Sequence, residues 1–146
     1  MTNSNSPTQI LMVEDNFAHV RLIQEAFKNM AKSYQISSVD NGVDAIAYLR
    51  CEPPFSNASR PALVLLDLNL PRKNGREVLA EIKTDPHLKQ IPVLILTTSK
   101  RPEDIRESYN LHANCYIHKS HNLKELFRMV DRIEQFWFET ALLPMA

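Results

Sequence analysis

Asp67 closes an unbroken apolar run, Leu63-Val64-Leu65-Leu66, and Asn69, Pro71 and Gly75 punctuate the segment beyond it. A run of that kind suits a strand buried on both faces, and a carboxylate at its carboxyl end is costly unless something pairs with it. Other polar residues stand in the same position relative to other apolar runs. Glu14 and Asp15 follow Gln9 to Val13, Thr97 follows Val93 to Leu96, and Lys119 follows Cys115 to His118. In a parallel sheet the carboxyl ends of the strands share one edge, so these residues would converge there. Crowded carboxylates raise one another's pKa unless a cation intervenes. All-oxygen ligands with room for water suit Mg²⁺, which takes one or two carboxylates and a phosphoryl oxygen. Lys119 adds a point charge and Thr97 a hydroxyl donor. The set suits phosphoryl transfer, with Asp67 as nucleophile and an acyl phosphate as product.

The elements that must position these residues alternate along the chain. Asn16 is placed to cap a helix whose face carries Val20, Ile23, Ala26 and Phe27. Gln35 to Val39 reads as a weaker strand, closed by the turn signal Asp40-Asn41-Gly42, and Ala45, Ile46 and Leu49 mark a short second helix. Cys51 to Pro61, with three prolines, reads as a loop. A third helix runs near Arg76 to Thr84, Pro102 opens a fourth, and a fifth begins near Asn122. Five alternations of strand and helix imply an α/β fold, a five-stranded parallel sheet with helices on both faces. Residues 1–8 read as a disordered lead, 9–140 as the domain, and 141–146 as a C-terminal tail.

Composition narrows the function. The 146 residues carry 17 Lys and Arg against 17 Asp and Glu, so no basic excess points to nucleic acid. No apolar run is long enough for a membrane span, and the polar N-terminus is no signal peptide, which together predict a cytoplasmic protein. The two cysteines, Cys51 and Cys115, read as reduced thiols, and the two glycines exclude a Gly-rich nucleotide cradle. His118 and His121 flank Lys119 without the further ligands that a zinc site needs.

The ordered set Val13-Glu14-Asp15-Asn16, Leu66-Asp67-Leu68-Asn69-Leu70-Pro71 with Gly75, Pro92 to Thr97, and Tyr116-Ile117-His118-Lys119 resembles the receiver domain of bacterial response regulators. The resemblance spans about residues 8–138 and implies the (βα)5 flavodoxin-like receiver fold. It implies that Asp67 accepts a phosphoryl group from a histidine kinase. It implies that Asp15, Asp67 and the backbone carbonyl of Asn69 hold Mg²⁺, with Glu14 acting largely through water. Lys119 would contact the phosphoryl group, and Thr97 and Tyr116 would form the switch pair. The chain departs from the family in having Ser120 after Lys119, where the family usually has a proline in a cis peptide. A cis bond without proline costs about 3 kcal/mol, so a trans bond is expected. Leu68 to Leu79, Asp85-Pro86 and Phe136-Trp137-Phe138 also look like the single-domain response regulators paired with cyanobacterial phytochromes.

Two other function classes fit less well. A phosphatase working through an aspartyl phosphate typically carries a second Asp two residues after the nucleophile. Here that residue is Asn69, so the protein is expected to be a phosphoacceptor and not an enzyme. A module that is never phosphorylated has no use for the full acidic set with Thr97 and Lys119. Only 27 residues follow Lys119, so the expected output is a contact made by the face of the fourth helix, fifth strand and fifth helix itself. In the last helix, Leu123, Leu126, Phe127, Val130, Ile133 and Trp137 share one apolar stripe, and Phe136 and Leu143 fall off it. Those two residues are the expected contacts of a homodimer.

Overall fold

The computed structural model describes residues 6–144. Its strands are β1 (Thr8–Val13), β2 (Tyr34–Val39), β3 (Leu63–Leu66), β4 (Val93–Thr97) and β5 (Cys115–His118). Between and after them run α1 (Phe17–Lys28), α2 (Gly42–Leu49), α3 (Gly75–Thr84), α4 (Pro102–Asn110) and α5 (Leu123–Ile133). All strands are parallel, in the order β2-β1-β3-β4-β5. Every residue of β3 and β4 is buried, which accounts for their continuous apolar runs.

The alternation of side chains along the strands splits the core in two. Leu11, Val13, Val64, Leu66 and Ile95 pack with α2 and α3 through Ile46, Val78, Leu79 and Ile82. Ile10, Met12, Leu63, Leu65 and Leu94 pack with α1 and α5 through Ile23, Phe27, Leu126 and Val130. Each fully buried aliphatic side chain contributes on the order of 1.5–3 kcal/mol, so the two layers hold the sheet rigid beneath its carboxyl edge.

Asparagines start four of the five helices. The side chains of Asn16, Asn41, Asn74 and Asn122 each accept a backbone N–H three residues on, and Glu77 completes a capping box on α3. Helix α4 differs: it opens on Pro102 with no side-chain cap, and its buried residues are Asp104 and Ser108, both polar.

Some expectations need correction. The first strand begins at Thr8, inside the segment read as a lead; residues 1–5 lie outside the described residues. Leu123 is 53% exposed, because it opens the first turn of α5 beyond the reach of the sheet. After Ile133 the chain winds into a π-helical turn, Glu134–Thr140, and then becomes extended at Ala141. The 100° periodicity therefore does not reach Leu143, which is half-buried, while its neighbour Leu142 is 98% exposed. Trp137 and Phe138 fold back onto the α1–α5 layer, with the Phe138 ring 5.3 Å from that of Tyr34. Tyr34 also donates to Glu134 Oε2 at 2.6 Å, and Lys32 Nζ donates to the Phe138 carbonyl at 2.8 Å.

Candidate functional site

Glu14 and Asp15 follow β1, Asp67 follows β3, and Lys119 follows β5, so the sheet brings them to one edge. Backbone bonds fix the carboxylates' chain positions: Glu14 N donates to Val39 O at 3.0 Å and Asp67 N to Val13 O at 3.0 Å. Lys119 N donates to Thr97 O at 2.6 Å, tying the lysine to the end of β4. Carboxylate oxygens of Glu14, Asp15 and Asp67 all lie within 4.8 Å of one another. Asp15 is exposed, whereas Glu14 and Asp67 are buried.

Lys119 compensates this charge. Its ammonium donates to Glu14 Oε1 at 2.5 Å and to Asp67 Oδ2 at 3.4 Å, with the lysine itself 6% exposed. Glu14 Oε2 also accepts the Asn16 N–H at 3.1 Å. Burial nonetheless raises the Glu14 pKa, and the neighbouring Asp67 charge adds to that, against the lowering influence of Lys119. A compact all-oxygen cluster of this kind, one side open at Asp15, fits a hard divalent cation.

The remaining expected residues surround this cluster. Asn69 N donates to Asp67 Oδ1 at 3.3 Å, which holds the carboxylate against the loop. Thr97 is fully buried, and its Oγ1 has no hydrogen-bond partner. A buried hydroxyl without a partner costs roughly 1–3 kcal/mol. Tyr116 is half-buried, and its hydroxyl donates to the Ser99 carbonyl at 2.9 Å. Burial raises its pKa, which keeps the phenol a donor. The Lys119–Ser120 peptide is trans; among the described residues the one cis peptide is Pro53–Pro54.

Gly75 makes the loop after Asp67 possible. Its N–H donates to Leu68 O at 2.9 Å, and any Cβ there would collide with the Asp67 carbonyl oxygen and the Leu68 backbone. Phe136 is 54% exposed beside a groove of about 730 Å³, which β5 and α5 line with Cys115, Ile117, Met129 and Ile133.

Reading the sequence alone missed His19 and Asp104. His19 is 7% exposed with no partner for Nε2. Its pKa falls to about 4, first through burial and then through the Lys119 charge. Its helical spacing from Ile23 and Ala26 was the available signal, since all three share the buried face of α1. Asp104 pairs with Arg76 of α3 and accepts from Ser99, and no spacing rule links those positions.

Comparison with known proteins agrees with this geometry. Residues 10–131 match the model of the response regulator receiver domain. The response regulator Rcp1 of Synechocystis sp. is 52% identical over 98% of this chain and 97% of its own. The phosphorylated cyanobacterial phytochrome response regulator RcpA superposes with a TM-score of 0.91 at 56% identity, covering 96% of this chain and 100% of that one. The Mn²⁺-bound form of Rcp1 gives a TM-score of 0.89 at 52% identity, over 95% and 100% of the two chains. Among the described residues no helix is long and apolar enough to cross a membrane. With strand order, strand-end residues and these likenesses in agreement, the chain belongs to the response regulator receiver domain family and is homologous to the phytochrome response regulators.

Proposed function

We propose that Asp67 is the phosphoacceptor through which this response regulator signals, and that a histidine kinase of the phytochrome type supplies the phosphoryl group. One observation carries the reading: three carboxylates, two buried and one exposed, lie within 4.8 Å of one another, and Lys119 bonds to the two buried ones. An Asp67 oxygen attacks phosphorus, the bond from phosphorus to the kinase imidazole nitrogen breaks, and an acyl phosphate forms. Lys119 then exchanges its bond to Glu14 for one to a phosphoryl oxygen. Thr97 Oγ1 donates to another, satisfying a hydroxyl that otherwise has no partner. Tyr116, bonded to the loop just after Thr97, carries that movement to the α4-β5-α5 face.

The cation that fits the donor set is Mg²⁺, which Asp15, Asp67 and the Asn69 backbone carbonyl would hold, with Glu14 acting largely through water. When bound, it neutralises charge on the phosphoryl oxygens. Asn69 can neither donate nor accept a proton as an acid–base group, so slow self-hydrolysis replaces turnover.

The receiver domain spans residues 8–140, and the tail after it belongs to a homodimer interface. Phe136 and the leucines of the tail, with the groove between β5 and α5, present the apolar surface for a second copy. The test of the phosphoacceptor is intact mass after incubation with Mg²⁺ and a small acyl-phosphate donor. The parent gains one phosphoryl group, while Asp67→Asn and the metal-free parent gain none. A parent that gains none with Mg²⁺ and with a cognate kinase overturns the reading.

A further inference from the structure

A second polar chain runs from the loop after Asp67 to helix α4. It starts at Arg76, next to Gly75, whose backbone rests on the Asp67 carbonyl. The Arg76 guanidinium pairs with both Asp104 and Glu107 of α4. The other oxygen of Asp104 accepts from Ser99 Oγ at 2.6 Å, and Ser99 Oγ accepts the Arg101 N–H at 3.2 Å. Ser99 lies two residues beyond Thr97, and its carbonyl holds the Tyr116 hydroxyl.

The bonds of α4 make this chain more than a surface ornament. The buried residues of that helix are Asp104 and Ser108, and Ser108 Oγ donates back to the Asp104 carbonyl at 2.8 Å. A helix without a buried apolar stripe leans on polar contacts, and Asp104 makes two of them beside those of Glu107 with Arg76 and of Tyr109 with the Tyr116 N–H. An acidic residue in a first helical turn is ordinarily a partner of the helix dipole. Asp104 goes further, since its two oxygens bind two different segments, one leading back to Asp67 and the other to Thr97. The hydrogen bond from Ser99 and the charge of Arg76 hold its pKa below the usual carboxylate range, so the clamp is charged at neutral pH.

We infer that Asp104 and Arg76 are positioning residues for phosphoryl uptake, clamping the loop after Thr97 so that its hydroxyl is preset before the phosphoryl group arrives. This rests on the reading of Asp67 as acceptor and Thr97 as its hydroxyl contact. The clamp touches neither the carboxylate cluster nor the phosphoryl group, so it acts through Thr97.

The test is a double-mutant cycle on the uptake rate from a small acyl phosphate with Mg²⁺, followed by intact mass. Asp104→Ala lowers the maximal rate about tenfold in the parent, as loss of one charge-assisted hydrogen bond would. The same substitution in a Thr97→Ala background changes the rate less than about twofold, because the group it positions is gone. The Mg²⁺ concentration for half-maximal rate stays the same. Asp104→Asn keeps an acceptor for Ser99 while losing the charge for Arg76, and carries the same cycle if the alanine variant unfolds. Equal losses in both backgrounds, or no loss in either, overturn the clamp while a labelled parent leaves the phosphoacceptor standing. A parent that takes up no phosphoryl group overturns both.

Discussion

The ammonium of Lys119 lies 2.5 Å from Glu14 Oε1 and 3.4 Å from Asp67 Oδ2, so the lysine sits closer to the first carboxylate than to the proposed phosphoacceptor. That asymmetry leaves Asp67 the more loosely held carboxylate while its charge is still compensated, as the proposed nucleophile requires. It also makes Lys119 a structural cation whenever no metal is bound. Lys119→Ala should destabilise the metal-free protein by about 3 kcal/mol or more, since it strands two buried carboxylates. Mg²⁺ should recover most of that loss. Thermal melts with and without Mg²⁺ check it: the ion raises the Tm of the variant more than that of the parent.

His19 makes the fold sensitive to mild acid. Burial first, and then the charge of Lys119, hold its imidazole from its ordinary 6.5 down to about 4; His121 adds to the shift and Asp67 opposes it. Below pH 6.5 the unfolded chain takes up a proton that the folded chain refuses, so stability falls as pH drops toward 4. The loss between pH 7 and 5 is about 2 kcal/mol. Glu14, with its raised pKa, contributes the opposite slope, but equally in parent and variant. Urea unfolding of the parent and His19→Gln at pH 7 and pH 5 should therefore show a smaller pH effect in the variant.

Gly75→Ala sets two effects against each other. Alanine favours a helix over glycine by about 1 kcal/mol. The added Cβ would meet the Asp67 carbonyl oxygen and Leu68 backbone, neither of which can swing aside as a side chain does. Overpacking wins, with a net loss of about 2 kcal/mol in denaturant unfolding and slower phosphoryl uptake at the displaced Asp67.

Phe136→Glu tests the proposed homodimer at an exposed position of the domain. The ring is 54% exposed in the single chain, so the substitution leaves the Tm within a degree or two and halves the mass seen by light scattering. An unchanged mass returns Phe136 to the status of an ordinary exposed apolar residue.

The architecture was legible in the chain because a parallel sheet writes itself in one dimension. Its inner strands, Leu63 to Leu66 and Val93 to Thr97, are buried on both faces and so appear as unbroken apolar runs. The polar residues that end those runs must then share an edge. That is why Glu14, Asp15, Asp67, Thr97 and Lys119 could be assembled from the sequence before any coordinate was known.

What tertiary structure alone decided is which of these groups pair, and with what else. Lys119 and Glu14 are 105 residues apart, and no periodicity says that the lysine prefers Glu14 to Asp67. Thr97 lacks a partner only because the surrounding packing offers none. Asp104 reads as one more acidic residue in a first helical turn, and its burial follows from Arg76 and Ser99, which other elements deliver. The end of the chain teaches the same lesson. Helical spacing grouped Leu143 with Phe136, but the π-helical turn and the extended residue Ala141 leave Leu142 in solvent instead. Local pattern determines which elements form and which face is apolar; long-range packing determines the hydrogen bonds, because their partners meet only after the chain has folded.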